Sequence, residues 1–293
     1  MKKLLLGVAL SALGLVQAAS AADMPVKAPA AVAVVQTWTG FYFGGHGGYG
    51  WGRNRVGYSS NDGASGSLFA FFLPLGTAGL NASNRFSTRG VLGGVQVGYN
   101  RQIGPRWVVG IEADFSASTV DGSETRNSTV VGNPTNFTAE ERVRNFGTLR
   151  GRLGMLATEN TLAFVTGGLA YARVEHNASV NVNTLGGPGF QSGGGGIPGF
   201  LCGPANPQCF VGSSTRWQAG WTAGGGIEHK WTRNLSLKAE YLYASLRSSS
   251  VTATATVPAG GVAGPLSTYN ANFGRTNLSV VRAGLNVHFP PTN

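Results

Sequence analysis

Trp107-Val108-Val109-Gly110-Ile111-Glu112-Ala113-Asp114-Phe115-Ser116 decides how the rest of the chain is read. Trp107, Val109, Ile111, Ala113 and Phe115 share one face, and Val108, Gly110, Glu112, Asp114 and Ser116 share the other. A period of two over ten residues is the signature of a β-strand. The composition of the two faces is unusual for a soluble sheet. One face is bulky and apolar, and the other sets two carboxylates among small residues, as a narrow polar interior requires.

The same rhythm recurs along the chain. Strands are expected near 41–51, 89–101, 107–116, 141–156, 162–175, 217–229, 235–247 and 275–289. In the last of these, Val281, Ala283, Leu285, Val287 and Phe289 oppose Arg282, Gly284, Asn286 and His288. In 235–247, Leu235, Leu237, Ala239, Tyr241 and Tyr243 oppose Ser236, Lys238 and Glu240. Only 162–175 is apolar on both faces. Strands of about ten residues, often longer, suit a tilted bilayer crossing.

On these boundaries the connections run 37, 5, 24, 5, 41, 5 and 27 residues. An up-and-down barrel with one exposed side and one tight side alternates long and short in this way. Closure also removes the unpaired edges that lipid cannot satisfy. The expected fold is all-β: an eight-stranded antiparallel up-and-down transmembrane β-barrel over 38–289, with a tail at 290–293. Both chain ends then fall on the short-turn side.

The first residues indicate a compartment. Met1-Lys2-Lys3 is basic, Leu4 to Val16 is apolar, and Ala19-Ser20-Ala21 supplies small residues for cleavage. Residues 1–21 read as a secretory signal peptide. Residues 22–37, rich in Ala, Val and Pro, read as a periplasmic linker. Export disfavours nucleic-acid partners, despite a formal charge of +10. Glycine at 46 of 293 residues and a charged content of 12% are the more telling composition. Collagen is excluded because the glycines keep no three-residue period. Cys202 and Cys209 in an oxidising compartment are expected to bridge, closing a short loop worth roughly 2.5 kcal/mol. No second cysteine or histidine pair lies nearby to complete a zinc site.

Charge placement checks the register. Glu112 and Asp114 face inward on the third strand, and Arg150 and Arg152 on the fourth, its antiparallel neighbour. Glu228, Lys238 and Glu240 form a second set on the sixth and seventh. Such charges would each cost several kcal/mol on a lipid face. An eight-stranded barrel is just wide enough for side chains to fill it, so a plugged lumen is expected. The four long connections sum to a charge of only +1, so most of the excess lies in strands and short turns. Arg89, Arg142, Arg144, Arg173, Arg247 and Arg275 fall at the outer strand ends. There a cation meets lipid phosphate, worth about 1 kcal/mol each by analogy with basic segments at anionic membranes. Contact with lipopolysaccharide is the expected outcome.

Trp38-Thr39-Gly40-Phe41-Tyr42-Phe43-Gly44-Gly45 resembles the first-strand signature of the small outer-membrane barrels of alphaproteobacteria. Gly220 to Glu228, followed by Lys238-Ala239-Glu240-Tyr241-Leu242-Tyr243, is similar to the sixth–seventh hairpin of that family, and Val281 to Phe289 to its closing strand. The family is variously called outer-membrane immunogenic protein, porin-family protein or haemin-binding protein, and its fold is the OmpA-like barrel. The resemblance runs in order over residues 1–289, strongly at both ends. It implies an outer-membrane location and says little about activity. Arg282, Gly284, Val287 and Phe289 also resemble the signal read by the barrel-insertion machinery. The chain departs from the family in continuing to Pro290-Pro291-Thr292-Asn293 after the aromatic.

Chemical motifs are few. Gly45-His46-Gly47-Gly48-Tyr49-Gly50 matches a dinucleotide fingerprint in letters only, because it lies in a strand pattern with no helix after it. No P-loop lysine, H-E-x-x-H or G-x-S-x-G is present. A barrel hydrolase would need an acid/His or Ser/His set at the outer rim. His229 and His288 fall at the opposite strand ends and His46 within the first strand, leaving His176, beside Glu175, as a solvated rim histidine. No enzyme activity, cofactor or metal is expected. Haem would also depend on His176, the only loop-side histidine, without a second axial ligand. The apolar run Leu68 to Leu75 needs cover. It folds onto the barrel mouth, meets outer-leaflet lipid, or binds a flat apolar partner. The expected role is envelope structure and surface exposure, with a narrow solute pore or surface binding of haemin or host components as alternatives.

Overall fold

A computed structural model of the chain describes residues 37–72, 84–130, 133–182, 189–194, 196–261 and 263–289. The proposed signal peptide, nearly all of the linker and the tail lie outside the described residues. Twelve strands and one α-helix occupy the described part: β1 (Gly40–Ser60), α1 (Gly63–Phe72), β2 (Asn84–Ile103), β3 (Trp107–Val130), β4 (Asn133–Thr158), β5 (Thr161–Val182), β6 (Phe190–Gly194), β7 (Ile197–Cys202), β8 (Gln208–Lys230), β9 (Leu235–Leu246), β10 (Ser249–Ala255), β11 (Thr268–Phe273) and β12 (Asn277–Phe289). Eight of them close a ring in the order β1-β2-β3-β4-β5-β8-β9-β12, every pairing antiparallel.

Each of the eight expected strands has an observed counterpart, and six of those are longer than expected at the long-loop end. The connection expected at 117–140 is the far half of the β3–β4 hairpin, paired from Val120↔Val143 to Val130↔Asn133. β10 and β11 lie within the connection expected at 248–274 and continue the wall where β9 and β12 stop. β11 pairs with β1 at Val56↔Phe273, and β10 with β8 at Thr254↔Val211. The sequence pattern loses these extensions because their outward face is no longer apolar. Along β3, Thr119, Asp121, Ser123, Thr125 and Asn127 point outward, so the alternation of apolar with polar disappears while the pleat persists. The short end is as expected, with connections at 104–106, 159–160 and 231–234.

The outer wall near the short end carries an apolar band. Phe41, Phe43, Val95, Ile111, Val165, Leu169, Ile227 and Leu285 are each at least half exposed. Phe41 to Trp51 spans ten strand steps; at ~3.3 Å per residue and ~40° tilt this is about 25 Å, the height of a lipid-facing band. Aromatic residues mark its two edges: Phe41, Tyr99, Trp107 and Phe289 at one, Trp51, Tyr171 and Trp217 at the other. Continuous apolar surface on this scale has no stable exposure to water. Lipid is the solvent this band fits.

The interior is layered. Trp38, Val108 and Leu162 are buried at the short end. Ionised side chains follow, and above them Leu92, Val120, Phe146, Leu242, Leu246 and Val280 belong to a buried apolar layer. Beyond the band a third apolar cluster fills the extended barrel. Leu68 and Ala64 of α1 and Phe200 of β7 belong to it. Leu68 therefore folds into the barrel mouth; nothing past Phe72 in that apolar run lies among the described residues before Asn84.

Candidate functional site

Glu112, Asp114, Arg150, Arg152, Glu228, Lys238 and Glu240 all point into the lumen and are buried. The two sets expected from sequence are one network. Glu112 pairs directly across the strands with Arg150, and their side chains form an ion pair. Arg150 Nη1 also donates to Glu240 Oε2 at 2.9 Å, and Nη2 to Asp114 Oδ2 at 3.1 Å. Lys238 Nζ donates to Glu112 Oε2 at 2.9 Å and lies 3.1 Å from Glu240 Oε1. Arg152 pairs with Glu228 and lies over the Phe164 ring at 3.8 Å.

Arg282 completes the network. Its Nη2 donates to Asp114 Oδ2 at 2.9 Å and its Nε to Glu240 Oε1 at 2.5 Å. Four cations then face four carboxylates. The seven residues expected from sequence carry one carboxylate in excess, and that imbalance was the available signal for an eighth member. Neutral groups occupy remaining acceptors: Tyr42 Oη donates to Glu112 Oε2 at 2.6 Å, and Asn286 Nδ2 to Glu228 Oε1 at 2.7 Å. Glycine admits this crowding. A side chain at Gly98 would collide with the Tyr42 ring, and one at Gly44 with Asn286.

A second polar group lies above the apolar layer. His176 is buried, with Nε2 3.4 Å from Glu141 Oε2, and its ring packs on Phe273 at 4.3 Å. Asn54 Nδ2 donates to Glu141 Oε1 at 2.6 Å. The expectation of a solvated rim histidine is therefore corrected. β5 continues past Glu175, so Glu175 faces outward while His176, one residue on, faces the interior. His46, in the fingerprint-like run, is also internal, with Nε2 2.8 Å from Ser116 Oγ.

The expected rim arginines lie just beyond the apolar band, but not all at strand ends. Arg89 sits within β2 opposite Trp51, and Arg173 within β5 opposite Trp217. Arg142 and Arg144 are inside β4 and already paired, with Glu140 at 3.0 Å and Glu175 at 2.9 Å. The Arg144 guanidinium holds the Glu175 carboxyl below its ordinary value by hydrogen bonding and charge. Only Arg247 and Arg275 stand at breaks, between β9 and β10 and between β11 and β12. The strand-end placement fails because the strands run on past the lipid band. For the same reason sequence reasoning missed Arg53, Arg55 and Arg85, which point outward from β1 and β2.

Cys202 at the end of β7 and Cys209 in β8 form a disulfide, buried in the outermost apolar cluster. Of the proposed insertion signal, Arg282 and Gly284 face the lumen, whereas Val287 and Phe289 lie exposed on the apolar band. No group of three or more potential metal-ligating side chains occurs among the described residues.

Comparison with known proteins places this architecture. Residues 8–289 match the outer membrane protein beta-barrel domain family. The chain is 35% identical over 237 residues to the 31 kDa outer-membrane immunogenic protein of Brucella melitensis, covering 78% of this chain and 81% of the relative. A Brucella suis protein of the same description matches equally. Among solved structures, OprG from Pseudomonas aeruginosa superposes with a TM-score of 0.42 at 9% identity, covering 87% of this chain and all of that one. The outer membrane protease OmpT from Escherichia coli gives 0.39 at 9% identity, covering 85% of this chain and 97% of that one. The closed antiparallel ring, its lipid-facing band and the match over nearly the whole chain agree: this protein belongs to the outer membrane protein β-barrel family.

Proposed function

We propose that the protein is a non-conducting, non-catalytic structural barrel that presents a rigid surface beyond the outer membrane. The observation that supports this reading is the filled lumen. A neutral ion-pair network spans it, and a continuous apolar layer lies directly above. Ions would have to displace both to cross. The pair His176–Glu141 is likewise sealed between apolar layers, a poor position for attack on any substrate.

In this reading the short turns and both termini face the periplasm, and the β3–β4 hairpin, α1 and the β6–β7 hairpin face the outside. The rim arginines lie at the outer headgroup level, where Arg89, Arg173, Arg247 and Arg275, outside the carboxylate pairs that hold Arg142 and Arg144, attract anionic lipid, and the closing strand engages the insertion machinery. Planar-bilayer recording tests the closed lumen: no discrete conductance steps are expected from the purified, folded chain. Reproducible ohmic steps, lost when Arg150 is replaced, would favour the narrow-pore alternative. Orientation is tested on intact cells with an impermeant thiol reagent. Asn127→Cys should label and Asn234→Cys should not; the reverse pattern would invert the topology.

A further inference from the structure

Beyond the apolar band on the β1 side lies a cleft of about 480 Å³ lined by Arg53, Arg55, Arg85, Arg275, Gly274 and Asn277. We propose that this cleft is a binding site for the phosphates of an outer-leaflet glycolipid, an inference that rests on the orientation given above. Three observations carry it.

The first is convergence. Arg53 and Arg55 point outward from β1, and Arg85 from β2. Arg275 closes the other flank, beside Gly274, whose amide donates to the Arg55 carbonyl at 2.8 Å. The second is the absence of any internal counter-charge. No carboxylate lines the cleft, and among the described residues none of the four arginines has a salt bridge. The connection 73–83 contains no acidic residue that could supply one. Arg55 and Arg85 are direct cross-strand partners, an arrangement that repels unless an anion lies between them. Arg89, lower on β2, differs in having Asp121 as its partner on β3.

The third observation is location. Trp51 lies two residues below Arg53 on the same outward face, at the edge of the lipid band. An anion bound here would be level with headgroups, its attached chains running down over Trp51 and Tyr49. Guanidinium groups match phosphate through paired N–H donors, which favours them over lysine for such a site. The phosphate is therefore one carried by a lipid.

The test uses the folded full chain in phosphatidylcholine nanodiscs, titrated with bisphosphorylated lipid A, with the same lipid after phosphate removal, and with inorganic pyrophosphate. Tight binding is expected for the first, at least tenfold weaker binding for the second, and none for the third at matched concentration. Combined Arg53→Gln, Arg55→Gln, Arg85→Gln and Arg275→Gln should weaken the first by tenfold or more. The control pair Arg142→Gln and Arg144→Gln should change it less than twofold. Equal binding of the dephosphorylated lipid, pyrophosphate binding as tight as the lipid, or an unaffected quadruple variant would overturn the proposal. Arg85→Gln alone, without anionic lipid, should leave the thermal midpoint unchanged or raise it; a lower midpoint would make Arg85 a structural residue and overturn the site. A wrong orientation would show in the thiol labelling, independently of these titrations.

Discussion

Arg282 serves two patterns at once, the polar position of the closing-strand signature and the cation that neutralises Asp114 and Glu240. Burying eight ionised groups is not in itself stabilising, since desolvation offsets most of the Coulomb gain. Removing one partner is a different matter, because an uncompensated charge stays behind. Arg282→Met should lower the unfolding free energy by about 3–5 kcal/mol in urea titrations of the vesicle-inserted protein. Pairing Arg282→Gln with Glu240→Gln should recover part of that loss. Strict additivity of the two would mean that they do not share a network. The other members were legible from sequence because each lies in a strand with clean alternation within the lipid band. Arg282 was equally legible in register, yet the insertion motif absorbed it.

At the level of elements, α1 is held by its first turn. Asp62 Oδ1 accepts from the Ser65 amide at 2.9 Å, and Ser65 Oγ in turn accepts from the Asp62 amide at 3.2 Å, a reciprocal cap. The same carboxylate accepts from Thr268 N and Ser267 Oγ, both at 2.8 Å, and so ties the helix to the start of β11. Partial burial works to raise the Asp62 pKa, but these hydrogen bonds outweigh it and hold the carboxyl below its ordinary value. The stabilisation is then fully present above an ordinary aspartate value of about 3.9 and is lost as pH falls through the lowered folded value. Pepsin cleavage within 61–83 should accelerate on going from about pH 4.5 to below pH 3 by more than the protease's own profile, the interval on either side of that value. Asp62→Asn should flatten this dependence, and Asp62→Ala should cost the clasp about 1 kcal/mol. The same pH profile in wild type and Asp62→Asn would remove Asp62 from the account. This helix was not legible in sequence. The apolar run beginning at Leu68 gave a need for cover, but the cap became visible only with β11 beside it.

For the whole molecule, the decisive difference lies beyond the membrane. Sequence periodicity ends where lipid ends, because only lipid forces the outward face to be apolar; past that level the wall needs one apolar face, the inner one. Val56, Phe86, Phe137, Val180, Phe210 and Phe273 supply it, and α1 and β7 add Leu68 and Phe200. β4 continues from Phe146 to Asn133, thirteen strand steps past the band; at ~3.3 Å each and ~40° tilt this reaches about 33 Å beyond it. A projecting barrel with its own core should exchange amide hydrogens slowly, whereas loops of the lengths first expected would exchange almost at once. In detergent-solubilised protein, amides of 135–145, and those of 120–130 that donate to β4, should stay protected for hours, within about tenfold of those in β9, a wholly lipid-level strand. Phe137→Ala, which empties part of that outer core, should speed exchange in the projecting hairpin while leaving β9 and the ion-pair level unchanged. Fast exchange throughout 117–146 in the wild-type chain would mean that the wall stops at the lipid band, and that the surface presented outside is a set of loops.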